Sequence, residues 1–280
     1  MSKGYLTFVQ NNGKTDYLRL AYAQALSIKA TQQINQYAVV VDDATFELIT
    51  DQHRQVFDYI VRMPFKDAAV GDQWKLKNEW QAYAATPFDE TIKLEADMLF
   101  TYNIDHWWDI VSAKELCFTT QVLDYKGKVA TSRAYRQIFD DNHLLNVYNG
   151  FYYFKKTPLT QQFFEIAKSL FEHWDTVKNT LLINAENESA TTDVVFAVAC
   201  RLLGDENCYL PGSVPTFTHM KGSINGWELN TNWSDMVYTE FDETKLTVGF
   251  QRQRVPFHYY QKDFITDELL EFYERRQASI

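Results

Sequence analysis

Ile92-Lys93-Leu94-Glu95-Ala96-Asp97-Met98-Leu99-Phe100 sets two acids inside an apolar run whose length and composition predict a buried strand. An unpaired carboxylate in such surroundings costs several kcal/mol unless a cation or good donors compensate it. Strand positions i and i+2 point to one face, so an extended Glu95-Ala96-Asp97 brings both carboxylates to a single divalent cation. Hard carboxylate oxygens suit Mg2+ or Mn2+.

Upstream of this run the chain alternates strand and helix. Residues 5–10 are rich in β-formers and follow Gly4; Asn11-Asn12-Gly13 then reads as a turn. Thr15 or Asp16 caps a helix reaching about residue 33, with Leu18, Ala21, Ala25 and Ile28 at helical spacing toward the sheet. Ala38-Val39-Val40-Val41 is short and continuously apolar, as in a parallel sheet covered on both faces. It ends in Asp42-Asp43, a pair that suits a helix N-cap better than a ligand contact. A helix over 44–55, a strand over 59–63 and a helical stretch over 73–85 lead to the Glu95 strand. This order predicts an open α/β sheet, whose sites lie beyond the carboxyl ends of the strands. Asn11, Asp42 and Asp97 fall at such ends.

The second half is more mixed. Strands are predicted over 116–122 and 150–154, helices over 160–174 and 192–203, and strands with loops over 211–221 and 245–260. A helix over 266–276 has Asp267 and Glu268 in its first turn and Arg275 and Arg276 in its last, matching the macrodipole. With no internal repeat and no Pro/Gly/Ser linker, the expectation is one compact domain over residues 1–265, with a C-terminal helix over 266–280 on or beside it.

Composition narrows the function classes. The 280 residues are 46% hydrophobic and 16% aromatic, enough for a sizeable core and unlike a disordered chain. No apolar run approaches a membrane span, and no apolar segment follows Met1-Ser2-Lys3-Gly4 as in a secretion signal. Cys117, Cys200 and Cys208 show neither metal-ligand spacing nor an even disulfide count, so a reducing cytoplasm is the expected location. The net charge of −10 excludes a globally basic nucleic-acid surface. Lys126, Lys128, Arg133 and Arg136, with Arg252 and Arg254, still form a local basic set that reads as a solvated loop or as a phosphate contact. No GxGxxG after a strand, Walker loop, GxSxG or HExxH is present. His106 and His173, beside tryptophans, read as structural.

Further motifs follow in order: Pro87-Phe88-Asp89 before the acidic run; Tyr148-Asn149-Gly150-Phe151-Tyr152-Tyr153-Phe154; Thr191-Thr192-Asp193; and Phe257-His258-Tyr259-Tyr260-Gln261-Lys262. Together, over residues 5–265, they resemble the GT-A glycosyltransferases of the glycogenin and lipopolysaccharide-galactosyltransferase group. That group carries Asp-x-Asp after an apolar strand, a central Asn-x-Gly-like strand, an Asp at a helix start and a late His-aromatic motif followed by Lys. Here Glu95 replaces the first Asp, and the glycine after the late His-aromatic pair is missing.

The resemblance implies a single GT-A-like, Rossmann-like α/β domain with a mixed central sheet flanked by helices. It also implies an enzyme that transfers a sugar from a nucleotide diphosphate sugar, most commonly a UDP-sugar, to an acceptor hydroxyl, with retention. It places Asp97 and His258 on Mn2+ or Mg2+, with His219 in His219-Met220-Lys221-Gly222 as the alternative to His258, and Glu95 on the metal or on the ribose. Lys262 and Lys75 or Lys77 would meet the diphosphate; Asn149, Gly150 and Asp193 the sugar hydroxyls; Thr7, Val9, Asn11 and Tyr17 the base and ribose; and Ala96 the nucleotide beside Glu95. The acceptor would be a glycan, a protein or a hydroxymethylated base in phage DNA. The Glu95 substitution and the altered late motif also allow a GT-A-like protein that binds nucleotide sugars without turnover.

Overall fold

The computed structural model describes residues 1–280 except 73–74, 132, 229–230, 243 and 278–280, and of 76 and 133–135 only the backbone. The strands are β1 (Lys3–Val9), β2 (Tyr37–Val41), β3 (Tyr59–Arg62), β4 (Glu90–Leu94), β5 (Met98–Leu99), β6 (Leu116–Thr119), β7 (Val122–Leu123), β8 (Val129–Ala130), β9 (Tyr148–Lys155), β10 (Thr218–His219), β11 (Thr239–Asp242), β12 (Lys245–Val248), β13 (Gln251–Arg252) and β14 (Phe257–His258). The helices are α1 (Tyr17–Thr31), α2 (Asp43–Phe46), α3 (Asp51–Val56), α4 (Ala82–Ala85), α5 (His106–Val111), α6 (Arg133–Asp141), α7 (Pro158–Glu172), α8 (Trp174–Leu181), α9 (Thr192–Leu203) and α10 (Asp267–Gln277).

The main sheet runs β3-β2-β1-β4-β9-β6. Its first four strands are parallel, and β9 lies antiparallel between β4 and β6. All five residues of β2 are buried, and so are all five of β4. Helices cover both faces, and a fully covered strand needs apolar residues on both sides. One core lies between the sheet and α1, α5 and α10; the other lies between the sheet and α7 and α9. The chain leaves β1 for β2 on one side, and β4 flanks β1 on the other. This is the strand-order reversal at which open α/β sheets place ligands.

A second sheet, β5-β14-β10-β7-β8, stands at the carboxyl end of the first and pairs His258 of β14 with Met98 and His219. Strands β11-β12-β13 form a small antiparallel sheet. Helix α10 lies along α1: Arg19 Nη2 donates to Asp267 Oδ1 at 2.7 Å and Tyr22 Oη to Glu274 Oε1 at 3.1 Å. Among the described residues, no helix is long and apolar enough to cross a membrane.

Several predicted elements differ in extent. The 44–55 helix is two short ones: Asp42 caps α2 by accepting from Thr45 N, and a Thr50–His53 capping box starts α3. The 73–85 stretch is a 3-10 turn, Leu76–Gln81, leading into α4; residues 73–74 of that expectation lie outside the described residues. The 116–122 strand breaks at a register shift between Phe118 and Thr119, so β7 joins the second sheet. In 211–221, where Pro and Gly recur, only β10 pairs. Strand β4 stops at Leu94, so Glu95-Ala96-Asp97 forms a turn between β4 and β5 rather than extended strand.

Two expected results arise from packing. A Cβ on Gly4 would fall inside the van der Waals envelope of the buried Phe88 ring. Gly4→Ala is therefore expected to cost about 1–3 kcal/mol, read as a lower urea midpoint at unchanged m-value. The three cysteines are buried and free. Burial pushes the Cys117 thiol up to about 12 and Cys200 well above its usual value. Since thiolate is the reactive form, the native protein at pH 8 is expected to leave Ellman's reagent unreacted and to titrate all three thiols only in denaturant.

Candidate active site

The turn after β4 and the end of β14 bring three metal-ligand types together. His258 Nε2 faces Asp97 Oδ2 at 2.8 Å and Glu95 Oε2 at 3.4 Å, and the three donor atoms lie within 4.8 Å of one another. Two carboxylates and an imidazole fit Mn2+ or Mg2+. The Lys262 ammonium is ion-paired to the same Asp97 oxygen. Burial alone pushes the Asp97 carboxyl up, but His258 and Lys262 outweigh it and hold it well below the usual carboxylate range. Burial works to lower the Lys262 ammonium, and Asp97 more than reverses this, leaving it raised.

Backbone pairing fixes the cluster. Glu95 N donates to Gly150 O at 3.1 Å, and Tyr259 N donates to Asp97 O at 3.1 Å. Gln24, buried on α1, donates to Glu95 O at 2.6 Å. His219 stacks on His258 with centroids 4.4 Å apart and stands behind it, outside the three-residue group. Burial, then His258 and Lys221, keep the His219 imidazole well below its ordinary pKa and so neutral at pH 7.

Two cavities flank this centre. The first, about 230 Å³, is lined by Phe8, Gln10, Tyr17, Lys75, Glu79 and Leu94, and by Ala96, Asp97 and Lys262 at its inner end. Lys75 Nζ donates to Ala69 O at 2.7 Å. Gln10 ties β1 to the neighbouring loop: its Nε2 donates to Asp42 and Asp67, and its Oε1 accepts from Asn78 at 2.7 Å. Beneath lies the buried pair Glu79–Lys93 at 2.5 Å; burial raises the Glu79 carboxyl against the opposing pull of Lys93.

The second cavity, about 110 Å³, is lined by Tyr148, Asn149, Gly150, Asp193, Phe217, His219 and Lys221. Asp193 Oδ1 accepts from Asn149 N at 2.8 Å, and its Oδ2 accepts from Arg136 Nη2 at 2.8 Å. Arg136 is 2% exposed, donates to Val147 O at 2.6 Å and lies 3.6 Å from the Tyr148 ring centroid. Glu95, His258 and Tyr260 line both cavities.

Of the residues singled out in the sequence, Tyr17, Lys75, Glu95, Ala96, Asp97, His258 and Lys262 meet at the first cavity, and Asn149, Gly150 and Asp193 at the second. Four do not reach either. Thr7 is buried and donates its hydroxyl to Gln24 Oε1 at 2.7 Å, and Val9 is core. Asn11 supports the start of α1, accepting from Leu18 N at 3.0 Å, beside the N-cap Asp16, which accepts from Arg19 N. Lys77 pairs with Asp72 at 3.0 Å, in a separate groove beside α8. Phe8 of β1 and Gln10 just beyond it line the cavity, one residue out of step with Thr7, Val9 and Asn11. Of the basic set, Lys126, Lys128, Arg252 and Arg254 are exposed, whereas Arg136 is withdrawn into the core; the Arg133 side chain lies outside the described residues.

No protein-family model and no curated protein matches the sequence. Solved structures do match. The galactosyltransferase LgtC, in complex with donor and acceptor sugar analogs, superposes at TM-score 0.55 over 99% of this chain and 96% of its own, at 10% identity. Mouse xyloside xylosyltransferase 1 in its apo form superposes at TM-score 0.50 over 92% of this chain and 97% of its own, at 11% identity. The chain has the fold of the GT-A glycosyltransferases, a mixed central sheet flanked by helices.

Proposed function

We propose that this protein is a glycosyltransferase that moves a sugar from a nucleotide diphosphate sugar, most simply a UDP-sugar, to an acceptor hydroxyl. The observation that carries this reading is the convergence of Glu95, Asp97 and His258 between two cavities, one lined by aromatic and basic side chains and one by polar groups. Glu95, Asp97 and His258 would hold a divalent cation, which when bound would supply charge neutralisation for a leaving diphosphate. Phe8 and Tyr17 offer ring surface to the base. Lys262 and Lys75 bring point charges toward the phosphates. Asp193, Asn149 and the Gly150 backbone face the sugar hydroxyls, and Arg136 orients the Asp193 side chain.

When the bond from C1 to the diphosphate oxygen breaks, its electron pair stays on the diphosphate. The acceptor hydroxyl oxygen bonds to C1 from the same face while its proton passes to that diphosphate oxygen, and the configuration is retained. The acceptor hydroxyl belongs to a glycan, or to a hydroxymethylated DNA base held by Lys126, Lys128, Arg252 and Arg254; a salt-sensitive gel shift with duplex DNA selects the second.

The test is UDP release from UDP-glucose, UDP-galactose and UDP-xylose with Mn2+ and with EDTA. Mn2+-dependent release from one donor supports the reading; absence of both release and UDP binding overturns it. A second reading, binding without turnover, draws on the Lys262 ammonium already seated on Asp97. It predicts UDP-sugar binding with no release, whatever acceptor is offered.

A further inference from the structure

Tyr260 has a backbone conformation that its side chain disfavours. Its φ is 61°, in the left-handed region, where a bulky residue is an outlier. Gln261 N donates to Tyr259 O at 2.6 Å, so Tyr260 is the centre of a three-residue turn with positive φ, a rare and strained form. Its neighbours hold it there. Tyr259 N donates to Asp97 O at 3.1 Å, and Tyr259 O also accepts from Trp233 Nε1 at 2.6 Å. Gln261 Nε2 donates to Ser234 Oγ at 2.9 Å. Strain of this kind persists only where the surroundings over-determine it, and it clusters at functional sites.

The turn achieves two placements. It reverses the chain within four residues of His258, so that Lys262 returns to Asp97. It also throws the Tyr260 ring over the histidine pair, with centroids 5.9 Å from His219 and 6.2 Å from His258. The ring is flanked by an ammonium from each cavity, Lys221 at 6.0 Å and Lys262 at 5.9 Å. Tyr260 is 38% exposed, so its outer edge faces solvent while its inner surface lines both cavities. Of the three residues shared by the cavities, Glu95 and His258 belong to the ligand cluster; Tyr260 alone is a large apolar plate.

We infer that Tyr260 keeps water from the reacting anomeric carbon. The inference rests on the glycosyltransferase reading: with nucleotide in the first cavity and sugar in the second, the bond that breaks crosses the partition between them. There the phenol ring covers the solvent side until an acceptor displaces its edge. The reaction it suppresses is hydrolysis. A water oxygen bonds to C1, the bond from C1 to the diphosphate breaks with its electron pair on the diphosphate, and the surplus water proton passes to the diphosphate or to bulk solvent. The products are free sugar and UDP.

The test uses the intact protein with Mn2+ and the same three UDP-sugars, without acceptor, in wild type and in Tyr260→Phe, Tyr260→Ala and Tyr260→Gly. Release of UDP and free sugar is expected to rise about tenfold in the Ala and Gly variants, a barrier change of about 1.4 kcal/mol. In Tyr260→Phe, which keeps the plate, it should stay near wild type. Melting temperatures give a second, independent readout. Only Gly accepts the turn freely, so Tyr260→Gly should melt about 2–4 °C above Tyr260→Ala, the reverse of the usual order. Calorimetry with UDP identifies the variants that keep the nucleotide site, and release is compared among those. Release that falls or stays level in the Ala and Gly variants, with UDP binding intact, overturns the inference while leaving the glycosyltransferase reading standing. If wild type neither binds UDP nor releases it, both fall together.

Discussion

Asp97→Asn is expected to lower Mn2+-dependent release of UDP by at least about a hundredfold, while the protein stays folded. Even outer-shell partners of a metal site cost about 10–100-fold when changed, and Asp97 would be an inner one. Its side chain is 5% exposed and carries both His258 and Lys262 on one oxygen. The amide keeps the shape and a hydrogen bond to His258 but loses the charge that a cation needs. Lys262, a third exposed, is free to turn to water, so little stability is lost with it. The measurement pairs UDP release with a melting curve; an Asn variant with wild-type, Mn2+-dependent turnover would remove Asp97 from the metal site.

A second large effect is expected from Arg136→Met, this time on stability as well as turnover. The Arg136 guanidinium bridges Val147 O and Asp193, and Asp193 in turn holds the Asn149 backbone at the start of β9. Breaking a buried ion pair by removing one partner is strongly destabilising, at a cost of about 3–5 kcal/mol. The urea midpoint should fall accordingly, and the affinity for the sugar moiety should fall beyond the affinity for UDP alone. Loss of stability of less than about 1 kcal/mol would place the pair among ion pairs that contribute little. A Met variant that keeps its preference for UDP-sugar over UDP would detach Asp193 from the sugar.

These two residues also mark what the linear pattern conveys and what it hides. The β1-α1-β2 unit is legible because Leu18, Ala21, Ala25 and Ile28 repeat at helical spacing and Ala38–Val41 is uniformly apolar. The same uniform burial removes the alternation that tells one face of a strand from the other. Hence Phe8 and Gln10 line the cavity, where the linear pattern points to Thr7, Val9 and Asn11. Glu95 and Asp97 converge with His258, although not for the expected reason: the strand ends at Leu94 and a turn, anchored to Gly150 O and Gln24, aims them.

Arg136 reads in sequence as one more cation of a basic stretch, because its partner Asp193 is 57 residues away and nothing local signals the pairing. For Tyr260 the sequence does hold a signal: the glycine missing after the His-aromatic pair falls beside this tyrosine, whose φ is positive. The split of 44–55 into α2 and α3 follows from Thr50, whose capping box competes with continuation of the helix.

The most direct test of the metal-centred account is Mn2+ binding, followed by electron paramagnetic resonance with and without UDP, in wild type, Asp97→Asn and His258→Ala. The account predicts that wild type binds one Mn2+, more tightly with UDP present, and that both substitutions abolish the UDP-linked gain. Equal Mn2+ binding in all three proteins, or wild-type binding of UDP that is indifferent to Mn2+, would contradict a cation held by Glu95, Asp97 and His258.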